Sequence, residues 1–186
     1  MPESYDWNPY NLPDGLMKAI GTAMAAASQT ESILNMAIMG CVGVDSEYGM
    51  ALTAHMAVPL KFSILKSVAE IKIDDLDALD ELDVILEKID QAIGKRNAIA
   101  HDGFARIERT GQLIRTSYEA RTRLEVEIVP VTIFEIEADA RAIYDAGLAL
   151  MKFLGNRGLL APIPAPRPRA HKSKAARKAR RKKAGK

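Results

Sequence analysis

The stretch Lys95-Arg-Asn-Ala-Ile-Ala-His-Asp-Gly103 gathers an arginine, an asparagine and a histidine within six residues. Arginine offers a planar fork of donors that matches a phosphate or carboxylate. Histidine, with an unperturbed pKa of about 6.5, can give or take a proton at neutral pH. Asparagine can orient an imidazole or donate to an anionic oxygen. Anion recognition coupled to proton transfer is the chemistry this trio could perform. The alternative is structural, with Arg96 in a buried ion pair with Glu31 and His101 as a helix C-terminal cap.

The elements that must position them are mostly helical. From Asp14, residues Met24, Ala27, Glu31, Leu34 and Ile38 step by three and four, which defines one face of a long helix. Glu31 stands where an apolar residue is expected. A second helix is expected over 47–72, with Met50, Met56, Leu60, Ile64 and Val68 apolar and Pro59 kinking or interrupting it. A third begins at the acidic run IDDLDALDELD, where carboxylates meet the positive end of the helix dipole. Its stripe is Leu82, Leu86, Ile89 and Ile93, and the same steps then reach Arg96. Burying either Arg96 or Glu31 alone would be costly, so the two are expected to pair. Asn97 and His101 are four apart and share a face. Asp102-Gly103 supplies a terminating glycine.

The period then changes to two. Residues 104–109 and 112–118 flank Thr110-Gly111 as a β-hairpin, and 124–129 is a third strand stopped at Pro130. A last helix spans about 132–156. The expected fold is therefore mainly α, a four-helix up-and-down bundle with a small β-hairpin or three-strand insertion between its third and fourth helices. It divides into an N-terminal extension (1–13), a helical domain (14–158), a proline-rich linker (159–168) and a disordered basic tail (169–186).

Charge is distributed unevenly along the 186 residues. Residues 167–186 carry 11 Lys or Arg and no acid, which leaves 15 basic against 24 acidic residues in 1–166, a net of −9. Such a tail binds polyanions by counterion release with little sequence preference, or folds back onto the acidic body. Within the body only 95–123 is positive, with seven basic and three acidic residues. Lys95, Arg106, Arg109 and Arg115 there, and Arg177, Lys178, Arg180, Arg181, Lys182 and Lys183 in the tail, are the candidate nucleic-acid contacts. The single Cys41 excludes a disulfide framework, and three scattered histidines (His55 and His171 besides His101) make a metal site improbable. No cofactor is expected. No apolar run approaches the ~20 residues of a membrane helix, and the N-terminus has no secretory pattern, so a reducing cytoplasm is the expected compartment. Glycine-rich phosphate loops and G-x-S-x-G are absent, which argues against P-loop and serine-hydrolase chemistry.

The string Arg96-Asn97-Ala-Ile-Ala-His101-Asp-Gly resembles the R-x4–6-H signature of the higher eukaryote and prokaryote nucleotide-binding (HEPN) superfamily. The helical order matches over about 14–157, with the motif at the end of the third helix and a glutamate on the first. The resemblance implies metal-independent RNA cleavage at a homodimer interface. Arg96, Asn97 and His101 would form the active site, with Glu31 holding Arg96. A 2′-hydroxyl would attack the adjacent phosphate to leave a cyclic phosphate and a 5′-hydroxyl. A defence or toxin–antitoxin setting would add an antitoxin or other regulatory protein. A noncatalytic HEPN-like dimerisation or nucleic-acid-binding module, anchored by the basic tail, is the alternative.

Overall fold

The computed structural model describes residues 4–120, 124–163, 178–179 and 181–183. Five α-helices and one four-stranded antiparallel sheet are described in the order β1 (Tyr5–Asp6), α1 (Asp14–Val42), α2 (Ser46–Thr53), α3 (Val58–Lys72), α4 (Leu76–His101), β2 (Gly103–Ile107), β3 (Leu113–Ala120), β4 (Leu124–Pro130) and α5 (Ile133–Asn156).

The helix ends follow from their capping chemistry. α1 is rich in alanine, the best helix former, and stops at Gly43, whose φ of 73° and N–H bond to the Met39 carbonyl make it a left-handed cap. Asp45 and Asp75 begin α2 and α4 by accepting the backbone N–H of Glu47 and Asp77. Thr132 and Glu135 form a reciprocal capping box at the start of α5.

The single helix expected over 47–72 is two. Residues 54–57 belong to neither helix, and Pro59 sits in the first turn of α3, where its missing N–H costs nothing. The proline therefore starts a helix instead of bending one. The buried face of α3 is also rotated by one residue from the expected stripe: Lys61, Leu65 and Ala69 point inward while Leu60 is exposed. Lys61 is only 2% exposed, and no ion pair reaches it among the described residues.

This split changes the direction of the last helix. α3 and α4 form a short-linked hairpin with Lys66 against Asp83. α4 and α5 are antiparallel, tied by Lys95–Asp139 near one end and Arg157–Glu81 near the other. α5 consequently runs parallel to α1, with Gly15 against Ile133, Thr30 against Ile143 and Gly147, and Gly40 against Leu159. In a four-helix up-and-down arrangement the first and last helices would be antiparallel; one additional reversal makes them parallel. The mainly helical class stands, and among the described residues of 4–163 five α-helices replace the four expected.

α1 is the central helix, contacting each of the other four. Its face of Ala19, Ala23, Ala26, Ala27 and Ile33 lies in one core with Ile136, Ile143, Leu150 and Leu154 of α5 and Leu82, Leu86 and Ile89 of α4. A Cβ on Gly147 would overlap the Thr30 hydroxyl, so glycine there sets how closely α1 and α5 approach.

The segment 1–13, expected as an extension, is joined to the body. Tyr5 and Asp6 pair with Ile107 and Arg106, making a fourth strand, and Leu12 is buried in the main core. Likewise the start of the expected linker is packed, since Leu159 and Ala161 are buried and Leu159 meets α1 at Gly40. In the tail, Lys178, Arg181, Lys182 and Lys183 are helical and exposed; Arg177 and Arg180, like Arg121 and Arg123, lie outside the described residues.

Candidate functional site

Periodicity aims Arg96 from the last turns of α4 toward α1, and the geometry agrees. Its Nη2 donates to Glu31 Oε1 at 2.9 Å, and its Nη1 donates to Asn97 Oδ1 at 3.0 Å. The Arg96 and Glu31 side chains are 26% and 32% exposed, so the pair sits at the edge of the core. The Arg96 Nε is buried without a hydrogen-bond partner among the described residues. Five guanidinium donors thus meet two acceptors among the described residues.

Asn97 accepts from Arg96 and makes no bond to His101. His101 is the last residue of α4; it is exposed, and no hydrogen bond or ion pair joins it to Arg96, Asn97 or Glu31 among the described residues. Its angular offset from Arg96, about 140° on an ideal helix, is the reason. The structure brings Glu31, Arg96 and Asn97 together and leaves His101 one turn further on.

Asp102, which follows the histidine, turns inward. Its backbone is extended (φ −77°, ψ 145°), so α4 passes directly into β2 and Gly103 is not the left-handed cap expected of it. Gly103 is needed for another reason. A Cβ there would meet the Thr116 hydroxyl and the ring of Trp7, which β1 delivers to this corner. The Asp102 carboxylate is 10% exposed and lies 3.3 Å from Arg115 Nε. Burial pushes its pKa above the ordinary carboxylate value, opposed by the charges of Arg115 and His101. Trp7, Thr116, Asp102 and Arg115 thus border the motif. Only the β2–β3 register, Gly103 opposite Thr116 and Phe104 opposite Arg115, places two of them there.

The expected basic surface is largely neutralised within the protein. Lys95 pairs with Asp139 at 2.7 Å, Arg106 approaches Asp6 at 3.7 Å and Arg115 approaches Asp102 at 3.3 Å. The Asp6 carboxyl is held below its ordinary value by the Asn8 backbone N–H, the Asn11 amide and Arg106. Arg109, exposed in the β2–β3 turn, has no such partner among the described residues. A cavity of about 510 Å³ lies elsewhere, between α1 and α5, lined by Lys18, Gln29, Glu137, Arg141 and Tyr144 among others.

Among the described residues no group of three or more His, Cys, Asp or Glu converges to hold a metal, and no helix is long and apolar enough to cross a membrane. Compared with protein-family models, curated proteins and solved structures, the chain finds no match.

Proposed function

We propose that this protein is a HEPN-like, metal-independent endoribonuclease that works as a homodimer, with Arg96, Asn97 and His101 at its active site. The observation that carries the reading is the arrangement of Arg96: Glu31 and Asn97 hold its guanidinium at the edge of the core, five residues before an exposed histidine at the helix end. In this reading Arg96 stabilises charge building on the phosphate, and His101 moves the proton from the 2′-hydroxyl or to the leaving 5′-oxygen. The partner copy's motif would supply a second histidine, which suits a reaction that needs both a base and an acid. Glu31 is a positioning residue.

A second reading has its own support. Lys95, Arg106 and Arg115 are all matched to carboxylates, so little free positive charge surrounds the motif. A noncatalytic module that holds RNA or DNA through its basic tail accounts for that equally. Incubating the protein and its His101→Ala variant with cellular RNA in excess EDTA separates the two. Cleavage by wild type alone, leaving cyclic phosphate ends, is the expected result. Intact RNA with both folded proteins, together with loss of RNA affinity on deleting 167–186, would replace the enzyme with the binding module.

A further inference from the structure

The sheet order β1–β2–β3–β4 leaves β4 on one edge, and among the described residues β4 pairs only with β3. Which of its backbone groups are unpaired follows from the ladder. The Val131 N–H bonds to the Leu113 carbonyl at 3.0 Å, one step beyond the Ile114–Pro130 pair. In an antiparallel ladder the hydrogen-bonded pairs recur every second residue. Val129 and Glu127 therefore turn their N–H and C=O toward β3, while Ile128 and Val126 turn theirs outward. Pro130, with no N–H, closes one end of this row.

The side chains carry a second signal. Through the β2–β3–β4 register, Val126 and Ile128 lie on the sheet face of Ala105, Ile114 and Thr116, which are buried. Val126 and Ile128 themselves are 53% and 46% exposed, so this small core is uncovered toward the edge. Glu127 lies between them on the opposite face, exposed and across from Ser117.

We propose that β4 is a docking edge for an extended segment of a partner protein in which a lysine or arginine is flanked by apolar residues. The backbone of that segment pairs with the outward groups of Val126 and Ile128 and adds a fifth strand. Its basic side chain stands against Glu127 on one face, and the flanking apolar side chains cover Val126 and Ile128 on the other. A second copy of this chain is the poorer occupant. Full-length antiparallel pairing of 124–130 with itself sets Glu127 directly against its own counterpart, and like charges opposite one another are destabilising. Glu127 thus selects against self-pairing at this edge and for a basic strand.

The test uses the full chain and fluorescent nine-residue peptides measured by anisotropy: one alternating valine with lysine, its twin with a central proline, and a version with glutamate for lysine. Two variants accompany wild type. Val126→Pro removes an outward N–H without touching the β3 ladder, and Glu127→Lys inverts the charge at the centre of the strand while Glu125 stays. The lysine peptide is expected to bind at least tenfold more tightly than its proline twin. Val126→Pro should weaken it about tenfold with an unchanged circular dichroism spectrum, and Glu127→Lys should shift preference toward the glutamate peptide. Equal binding of the peptide and its twin overturns the proposal, as does lysine-peptide affinity indifferent to Glu127→Lys. Concentration-dependent dimerisation that Val126→Pro abolishes, with no peptide binding, replaces it with a self-pairing edge. Should Val126→Pro not fold, Glu127→Lys decides alone.

Discussion

Arg96 and Glu31 are joined by one charge-assisted hydrogen bond at a site that water still reaches. A fully buried pair loses about 3–5 kcal/mol when one partner is removed. At this exposure the loss from Arg96→Ala or Glu31→Ala is expected to be about 1–3 kcal/mol. A double-mutant cycle by urea unfolding should return a coupling of about 1 kcal/mol; a value near zero would mean the contact is incidental. Asp102 behaves differently. Burial raises its folded-state pKa above the unfolded value, so its contribution favours the fold below the ordinary carboxylate range and is lost as pH rises through the raised value. Asp102→Asn should therefore gain stability relative to wild type between pH 3 and pH 7, even though Arg115 loses its partner. A stability difference that is flat with pH, or that falls, would show that the Arg115 contact outweighs desolvation.

At the scale of elements, α3 carries the least economical choice in the protein. Its inward face presents Lys61, whose four-carbon stem fills space against the core but whose ammonium has no carboxylate partner among the described residues. Replacing it with methionine keeps the stem and removes a charge that no carboxylate matches among the described residues. Lys61→Met is expected to raise stability by about 1–3 kcal/mol, or Tm by roughly 3–10 °C for a chain of this size. A lowered Tm would mean that the ammonium is solvated well enough to matter. The same region shows how far element boundaries were readable. Four of the five helices begin or end at residues whose chemistry announces the boundary: Gly43, Asp45, Asp75 and Thr132. Pro59 was equally visible, yet a proline inside an apolar pattern is compatible with either a kink or a new start. Local sequence does not distinguish them, because the choice depends on where the following helix packs.

For the molecule as a whole, an acidic body and a basic tail have opposite relations to a polyanion. The body, net −9 over residues 1–166, should repel nucleic acid, and its own cations near the motif are mostly matched. Removing 167–186 is expected to weaken binding to a mixed-sequence RNA by about tenfold or more and to flatten its salt dependence, leaving the contact at the motif. In the intact chain, log affinity should fall with log salt at several units of slope, about 0.7 per phosphate neutralised on a single strand. Retained binding with the slope unchanged after truncation would place the nucleic-acid surface on the body, at Arg109 or the motif itself.

The helical class, the hairpin and the inward aim of Arg96 and Glu31 were determined by sequence alone, because each rests on a short-range period: three to four residues for a helix face, two for a strand. The glycine at 103 was also visible, but for the wrong reason. Its role depends on Trp7 and Thr116, almost a hundred residues before it and thirteen after. Tertiary structure alone decided that Asp102 turns inward to Arg115, that Lys95 and Arg106 are matched by Asp139 and Asp6, and that α5 runs parallel to α1. Each of these joins distant segments through register and packing, and neither leaves a period in the sequence. Charge is counted residue by residue, whereas its neutralisation is settled only when the chain has folded.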